Sequence, residues 1–201
     1  MVTYYRDEHS DIATAQRIKS GNNKCGDAYV VLQKGTYSVC AVVDGLGSGE
    51  GAHLSAEAAI DVIKENHLKD VKTILEECNK VLARKRGAVM TLVKIDYNKE
   101  VMAYANFGNI GFALYNPDGT TVQPLPKRGY LCGRNTEIAS SEYGYMQGSM
   151  FLLYSDGVEE VPSRQLLFTR FQGQDTANHS VFNVERYKEN DDATLMVGRL
   201  K

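Results

Sequence analysis

Apolar residues in this chain gather in short runs rich in β-branched and aromatic side chains. Runs at 29–32, 37–43, 90–95, 101–107, 110–115, 150–154 and 194–197 have strand length, and each is bounded by Gly, Asn or Asp. Residues 1–5 and 12–18 are weaker strand candidates. Between the second and third of the clear runs the period changes. Ala52, Ala56, Ala59 and Ile63 recur at spacings of four, three and four, one face of a helix ending near Asn66. Val71, Ile74, Leu75, Cys78, Val81 and Leu82 give a second stripe ending near Arg84. Residues 164–171 predict a third helical stretch, and 181–188 another. Asn116-Pro117-Asp118-Gly119, between two strand candidates, is a hairpin turn and implies antiparallel pairing. Strands, a helix pair, a long run of strands, a late helical segment and one last strand are segregated rather than alternating. That order predicts an α+β fold with antiparallel sheets covered by helices.

Composition then bounds what the fold serves. At 201 residues and 43% hydrophobic content, roughly 70% of the unfolded surface can be buried without any covalent staple. No linker, low-complexity block or internal repeat divides the chain, so residues 1–201 are expected to form one domain. A net charge of −2 argues against bulk electrostatic capture of nucleic acid or of an anionic membrane. Cys25, Cys40, Cys78 and Cys132 form no CxxC pair, which fits reduced thiols in a cytosol. The first ten residues are polar, and no apolar run approaches the ~20 needed to cross a bilayer. A cytoplasmic location is expected.

The acids sharpen the picture. The run at 37–43 stops at Asp44-Gly45, and the run at 150–154 stops at Ser155-Asp156-Gly157. Asp27 closely precedes the run at 29–32, and Asp191-Asp192 closely precede 194–197. Each acid therefore lies at the end of a buried strand. Strand ends that converge would bring several carboxylates within a few Å, where they cannot all stay ionised unless a cation joins them. Oxygen ligands without nearby His or Cys point to a hard ion such as Mg²⁺ or Mn²⁺. Gly45 would also let a backbone carbonyl approach that ion. Taken singly, any of these acids could be a turn or cap residue, as Asp118-Gly119 is. Their repetition at the same kind of place favours a metal site.

In order, Gly26-Asp27, Asp44-Gly45-Leu46-Gly47-Ser48-Gly49, Gly87-Ala88, Gly108-Asn109, Ser155-Asp156-Gly157-Val158 and Asp191-Asp192-Ala193-Thr194 make a series. This series resembles the metal-dependent Ser/Thr protein phosphatases of the protein phosphatase 2C type, and more closely their bacterial SpoIIE branch. Cys25-Gly26-Asp27, the stretch 41–49, Lys85-Arg86-Gly87-Ala88 and Gly129-Tyr130-Leu131 resemble the small stressosome phosphatases within that branch. The resemblance implies a four-layer α-β-β-α sandwich of two antiparallel sheets flanked by helices. It implies two Mn²⁺ or Mg²⁺ ions at one end, with Asp44 bridging both and serving as the catalytic centre's anchor, and Gly45 lending its carbonyl. Asp156 and Asp192 would hold the first ion, Asp27 would orient waters or bind the second, and Asp191 would be a cap. Water activated by the two ions would attack phosphoserine or phosphothreonine phosphorus in line. The implied partners are phosphorylated stressosome proteins, with negative regulation of the general stress sigma factor, by a monomer. Departures are visible too. No His follows Asp44-Gly45 closely, His53 lying further on, and Asn22 stands near where eukaryotic relatives carry a phosphate-binding Arg. Asn109 replaces an Asp that some relatives use for a third ion.

Rival motifs are weaker. Gly47-Ser48-Gly49-Glu50-Gly51-Ala52 fits G-x-G-x-x-A, yet a second helix follows where a dinucleotide fold needs a strand. Cys78 and Arg84 match C-x5-R, but the segment has helical apolar spacing and no Gly, so Cys78 reads as core. His9, His53, His67 and His179 are too dispersed for zinc. Arg84-Lys85-Arg86 reads as a solvated helix end. The alternative of another class is a phosphatase fold without turnover that acts as a binding or scaffold module. Retention of all four acids speaks against it.

Overall fold

The run at 37–43 is apolar without alternation because both faces of its strand are covered. Val39, Ala41 and Val43 pack under helices, whereas Cys40 and Val42 pack against the opposite sheet. The computed structural model describes residues 2–171 and 181–201. Among these, strands β1 (Val2–Arg6), β2 (Ser10–Arg17), β3 (Asp27–Gln33) and β4 (Tyr37–Gly45) lead to helices α1 (Glu50–Asn66) and α2 (Val71–Leu82). Strands β5 (Ala88–Asp96), β6 (Val101–Phe107), β7 (Gly111–Tyr115), β8 (Thr121–Val122), β9 (Ser140–Gly144) and β10 (Met150–Tyr154) follow. Helix α3 (Arg164–Arg170) precedes the last strand, β11 (Ala193–Leu200).

The strands form two antiparallel sheets, one of six strands ordered β1-β2-β11-β10-β7-β8 and one of five ordered β3-β4-β5-β6-β9. Three apolar layers hold them. Ile60, Ile63, Ile74 and Leu75 bind α1 and α2 to the five-stranded sheet. Phe112, Phe151, Leu153 and Met196 meet Val93 and Ile95 between the sheets. Leu167 and Phe171, with Val181 and Phe182, cover the outer face of the six-stranded sheet. The four-layer α-β-β-α arrangement is therefore present, with an outer layer of one short helix on the six-stranded side among the described residues. No helix among them is long and apolar enough to cross a membrane.

Two local results differ from the pattern-based expectation. Residues 181–188 hold only a 3-10 turn at Val184–Arg186. Val181 and Phe182 are apolar because they plug the core beneath α3, and Tyr187 bridges to Val158, so the spacing does not reflect a helix. Strands β8 and β9 carried no apolar signal, since β9 is an edge strand with mostly exposed side chains. The 116–119 turn behaves as expected. Gly119 sits at φ 100°, and the Asp118 carboxylate accepts the Thr120 N–H at 2.9 Å. Far from the acids, Ser10 of one sheet and Ser38 of the other both hydrogen bond to the Tyr97 hydroxyl, at 2.8 and 2.6 Å, lacing the sheets together at that end.

Candidate metal centre

Strands β3 and β4 place Asp27 directly opposite Asp44. The Gly45 N–H donates to the Gly26 carbonyl at 3.1 Å, so the neighbouring acid pair occupies the position of an antiparallel ladder where side chains approach most closely. Both acids share a strand face with Tyr29, Val31, Cys40 and Val42, which pack between the sheets. They therefore point into the end of the inter-sheet gap.

The other two acids arrive from the six-stranded sheet. Asp156 lies in a turn after β10 that closes with the Val158 N–H donating to the Ser155 carbonyl at 3.1 Å. A Cβ on Gly157 would overlap the Asp192 carbonyl oxygen, so only glycine lets this turn lie against the entry to β11. Asp192, buried at 5% exposure, is fixed by two backbone N–H groups. Lys19 donates to Oδ1 at 2.8 Å and Gly26 to Oδ2 at 2.8 Å. The second of these bonds joins the two sheets at the residue before Asp27.

Ser155 and Asn109, which the sequence placed in motifs without assigning them a partner, complete the set. The Ser155 hydroxyl donates to Asp27 Oδ2 at 2.6 Å and accepts the Thr194 N–H at 2.8 Å, reaching both sheets from one atom. Asn109 Nδ2 donates to Asp156 Oδ2 at 2.8 Å. The signal for Ser155 was adjacency to Asp156, and that for Asn109 was its place where some relatives carry a third-ion Asp. The Asp191 Oδ1 accepts the N–H of the neighbouring Asp192 at 3.0 Å. Replacing Asn109 by Ala is expected to lower turnover about tenfold by freeing Asp156, as losses of ligand-orienting partners commonly do. Titration of Mn²⁺ against initial rate checks this, and an unchanged curve would remove Asn109 from the centre.

Electrostatics decides what the site needs. Burial pushes the Asp27 carboxyl up to about 7, against hydrogen bonds from Ser155 and Thr194 that pull it down, with Asp192 and Asp156 adding to the rise. Burial, followed by the charges of Asp27, Asp156, Asp191 and Asp192, pushes Asp44 up to about 8. Without a cation, these groups hold protons into the neutral range, so the cluster carries less than the charge of about −4 that reference carboxylate pKa values would sum to. Two crowded carboxyls with acids and no cationic side chain among the groups acting on them fit a hard divalent ion that takes oxygen ligands. Among the described residues, no three Asp, Glu, His or Cys side chains form a ready-made ligand cage. The expectation of several carboxylates within a few Å thus narrows to one facing pair with flanking acids, the spacing that mutual repulsion favours. Mg²⁺ suits such an open set, since it keeps several waters and takes one or two carboxylates.

Gly45 has a different primary reason from the one first given. A Cβ there would overlap the Ala52 carbonyl of α1, so the glycine lets the helix close on the strand end. The rival motifs fall away in the structure. The 47–52 stretch joins an antiparallel strand to α1, without a parallel crossover. Cys78 is fully buried in α2 and burial pushes its thiol up to about 12, so it packs as core. His53 lies on α1 with Nδ1 against the Cys25 carbonyl at 3.0 Å. His67 meets the Tyr37 hydroxyl at 2.7 Å, His9 stacks on Tyr97, and His179 lies outside the described residues.

Comparison with known proteins adds an independent line. Residues 34–201 match the family model described as stage II sporulation protein E (SpoIIE). The chain is 32% identical over 200 residues, spanning both chains completely, to the phosphoserine phosphatase RsbX of Bacillus subtilis (strain 168). A crystal structure of RsbX in complex with magnesium superposes with a TM-score of 0.88 at 31% identity, again covering all of both chains. A protein solved in work on the bacterial stressosome, as a modular system adapted to control secondary messenger signalling, gives a TM-score of 0.86 at 27% identity. That match covers 96% of this chain and 100% of the other.

Proposed function

The chain belongs to the stage II sporulation protein E family, and from that premise we propose that it is a metal-dependent phosphoserine and phosphothreonine protein phosphatase. The observation that carries the proposal is the facing pair Asp27 and Asp44, whose carboxyls are raised by burial and by neighbouring acids rather than relieved by a base. Asp27, Asp44, Asp156 and Asp192 would hold Mn²⁺ or Mg²⁺, with the Gly45 carbonyl as a further ligand and two ions expected. Bound there, such ions supply Lewis acidity toward a phosphoryl oxygen and lower the pKa of water near phosphorus.

The chain's own groups then position rather than react. The Ser155 hydroxyl keeps Asp27 aimed into the gap, Asn109 orients Asp156, and the Lys19 and Gly26 N–H groups fix Asp192. Asp44 stands across the ladder from Asp27 and acts as the central anchor. His53 is turned to the Cys25 carbonyl, so the leaving serine oxygen takes its proton from water in this reading, without imidazole help.

Phosphorylated stressosome proteins are the proposed substrates, and control of a general stress sigma factor the proposed outcome. The support is the full-length similarity to RsbX and the likeness to the stressosome-associated structure. Residues 1–201 would work as one phosphatase domain, as a monomer in the cytoplasm. The direct test is hydrolysis of p-nitrophenyl phosphate with and without Mn²⁺ or Mg²⁺. Turnover that requires the ion and stops with chelator is expected. Metal-independent turnover would defeat the mechanism. Inertness toward both this ester and phosphorylated stressosome proteins in Mn²⁺ would favour a scaffold.

A further inference from the structure

Three cations stand together beside the acidic end of the sandwich and serve no function derived so far. Arg84, Lys85 and Arg86 follow α2, are solvent-facing, and lead directly into β5. Among the described residues, none of the three is ion-paired to a carboxylate, whereas most other surface lysines on α1 and α2 are. Arg86 does not wave freely. Its guanidinium donates to the Ser48 carbonyl at 3.3 Å and lies against Gly51, where a Cβ would overlap it. Gly47 and Gly51, two glycines of the rejected dinucleotide motif, therefore make room for this arginine. The three cations line a cavity of about 370 Å³ with Gly51, Ser55 and Leu54, and Leu54 is 51% exposed on α1.

The cavity's place relative to the carboxylates follows from the ladder. Gly45 pairs with Ala88, and the Leu46 N–H donates to the Gly87 carbonyl at 3.0 Å. The Arg86 guanidinium reaches the Ser48 carbonyl, four residues beyond Asp44, which places it within about 14 Å of that acid's backbone, the reach of four extended residues. An extended peptide covers that distance in three to four residues. The groove is cationic, has one apolar wall residue, and lies at the same end of the five-stranded sheet as Asp44. Its complement is an acidic segment with an apolar side chain, at fixed separation from the group held at the carboxylates.

We propose that the groove formed by Arg84, Lys85, Arg86 and Leu54 docks an acidic flank of the phosphoprotein substrate, with Asp or Glu three to four residues from the phosphoserine. This inference rests on the phosphatase reading of the acidic centre and deepens it by naming the substrate class. Charge around the groove sets encounter and residence of the flank, while the ester itself is handled at the carboxylates.

The test uses three synthetic phosphoserine peptides and the intact chain with Mn²⁺. One peptide carries two Glu at the third and fourth positions from the phosphoserine, one carries Lys there, and one carries the Glu pair directly adjacent. The first is expected to have the highest kcat/KM, by about tenfold over the Lys peptide, through KM. In the double variant Arg84→Glu/Lys85→Glu the preference should reverse, and high salt should shrink it in the parent chain. Both residues face solvent, and an unchanged melting temperature shows that the variant folds. Equal kcat/KM for the three peptides, or a preference that survives the double reversal, overturns the proposal. Failure of the underlying reading has another signature: the parent chain then leaves p-nitrophenyl phosphate intact with Mn²⁺.

Discussion

Asp44→Asn is expected to cut Mn²⁺-dependent turnover by about 10³-fold or more while making the metal-free protein more stable at pH 8. The first effect follows from position. Asp44 faces Asp27 across the ladder, and losing a ligand should exceed the 10–100-fold typical of losing a group behind one. The second effect follows from linkage. Its carboxyl is raised from 3.8 to about 8, first by burial and then by the neighbouring acids. Between those values the folded state binds more protons than the unfolded state, so stability is greatest at low pH within the window and falls as pH rises. Asn cannot ionise and escapes that loss. A gain of roughly 1–2 kcal/mol, or about 3–8 °C in melting temperature, is expected at pH 8, and the two proteins should converge near pH 4. Mn²⁺ should raise the melting temperature of the parent and leave the variant nearly unmoved. A variant that is less stable than the parent in the absence of metal at pH 8 would mean that Asp44 is a structural hydrogen-bonding residue rather than a crowded ligand.

The second large effect is predicted at Gly157. Alanine there would drive its Cβ into the Asp192 carbonyl oxygen and bring it to 2.9 Å from the Ala193 Cβ. Ala193 opens β11 and Asp192 leads into it, and that strand is held by eight paired positions on β2 and cannot retreat freely. Overpacking of this kind costs about 1–3 kcal/mol, at the upper end where backbone rather than a side-chain tip must move. Asp156 and Asp192 would part, so metal-dependent turnover should be lost together with stability. Gly144→Ala is the control, because nothing stands within 4 Å of a Cβ at that site. Urea denaturation of both variants, with and without Mn²⁺, separates the outcomes. A Gly157→Ala protein as stable and as active as Gly144→Ala would show that the turn is not wedged against β11.

The strand runs were legible because nearly every one is covered on at least one face, which writes burial directly into residue type. Edge strand β9 was silent for the converse reason, its side chains being mostly exposed. The 181–188 stretch misled because Val181 and Phe182 pack into the core under α3, a tertiary demand that mimics periodicity. At the centre, acids at strand ends could be found by grammar. Ser155 could not be assigned to Asp27, since the pair is 128 residues apart in sequence and meets only when the two sheets close. Gly45 shows the opposite limit: the right residue was singled out, while the demand of α1 on its missing side chain was invisible.

The two sheets are tied at both ends of the gap, and the ties differ in kind. At the far end Ser10, Ser38 and Tyr97 join them through neutral hydroxyls that respond to neither ions nor ordinary pH. At the near end Ser155 donates to Asp27 and the Gly26 N–H to Asp192, two ties that end on carboxylates, beside a neutral one from the Gln16 amide to the Asp27 carbonyl. The contact between the sheets at this end thereby shares two of its carboxylates with the proposed ion site. An ion held there is expected to strengthen the join between the sheets at that end, so loading should appear as a rise in melting temperature as well as in turnover.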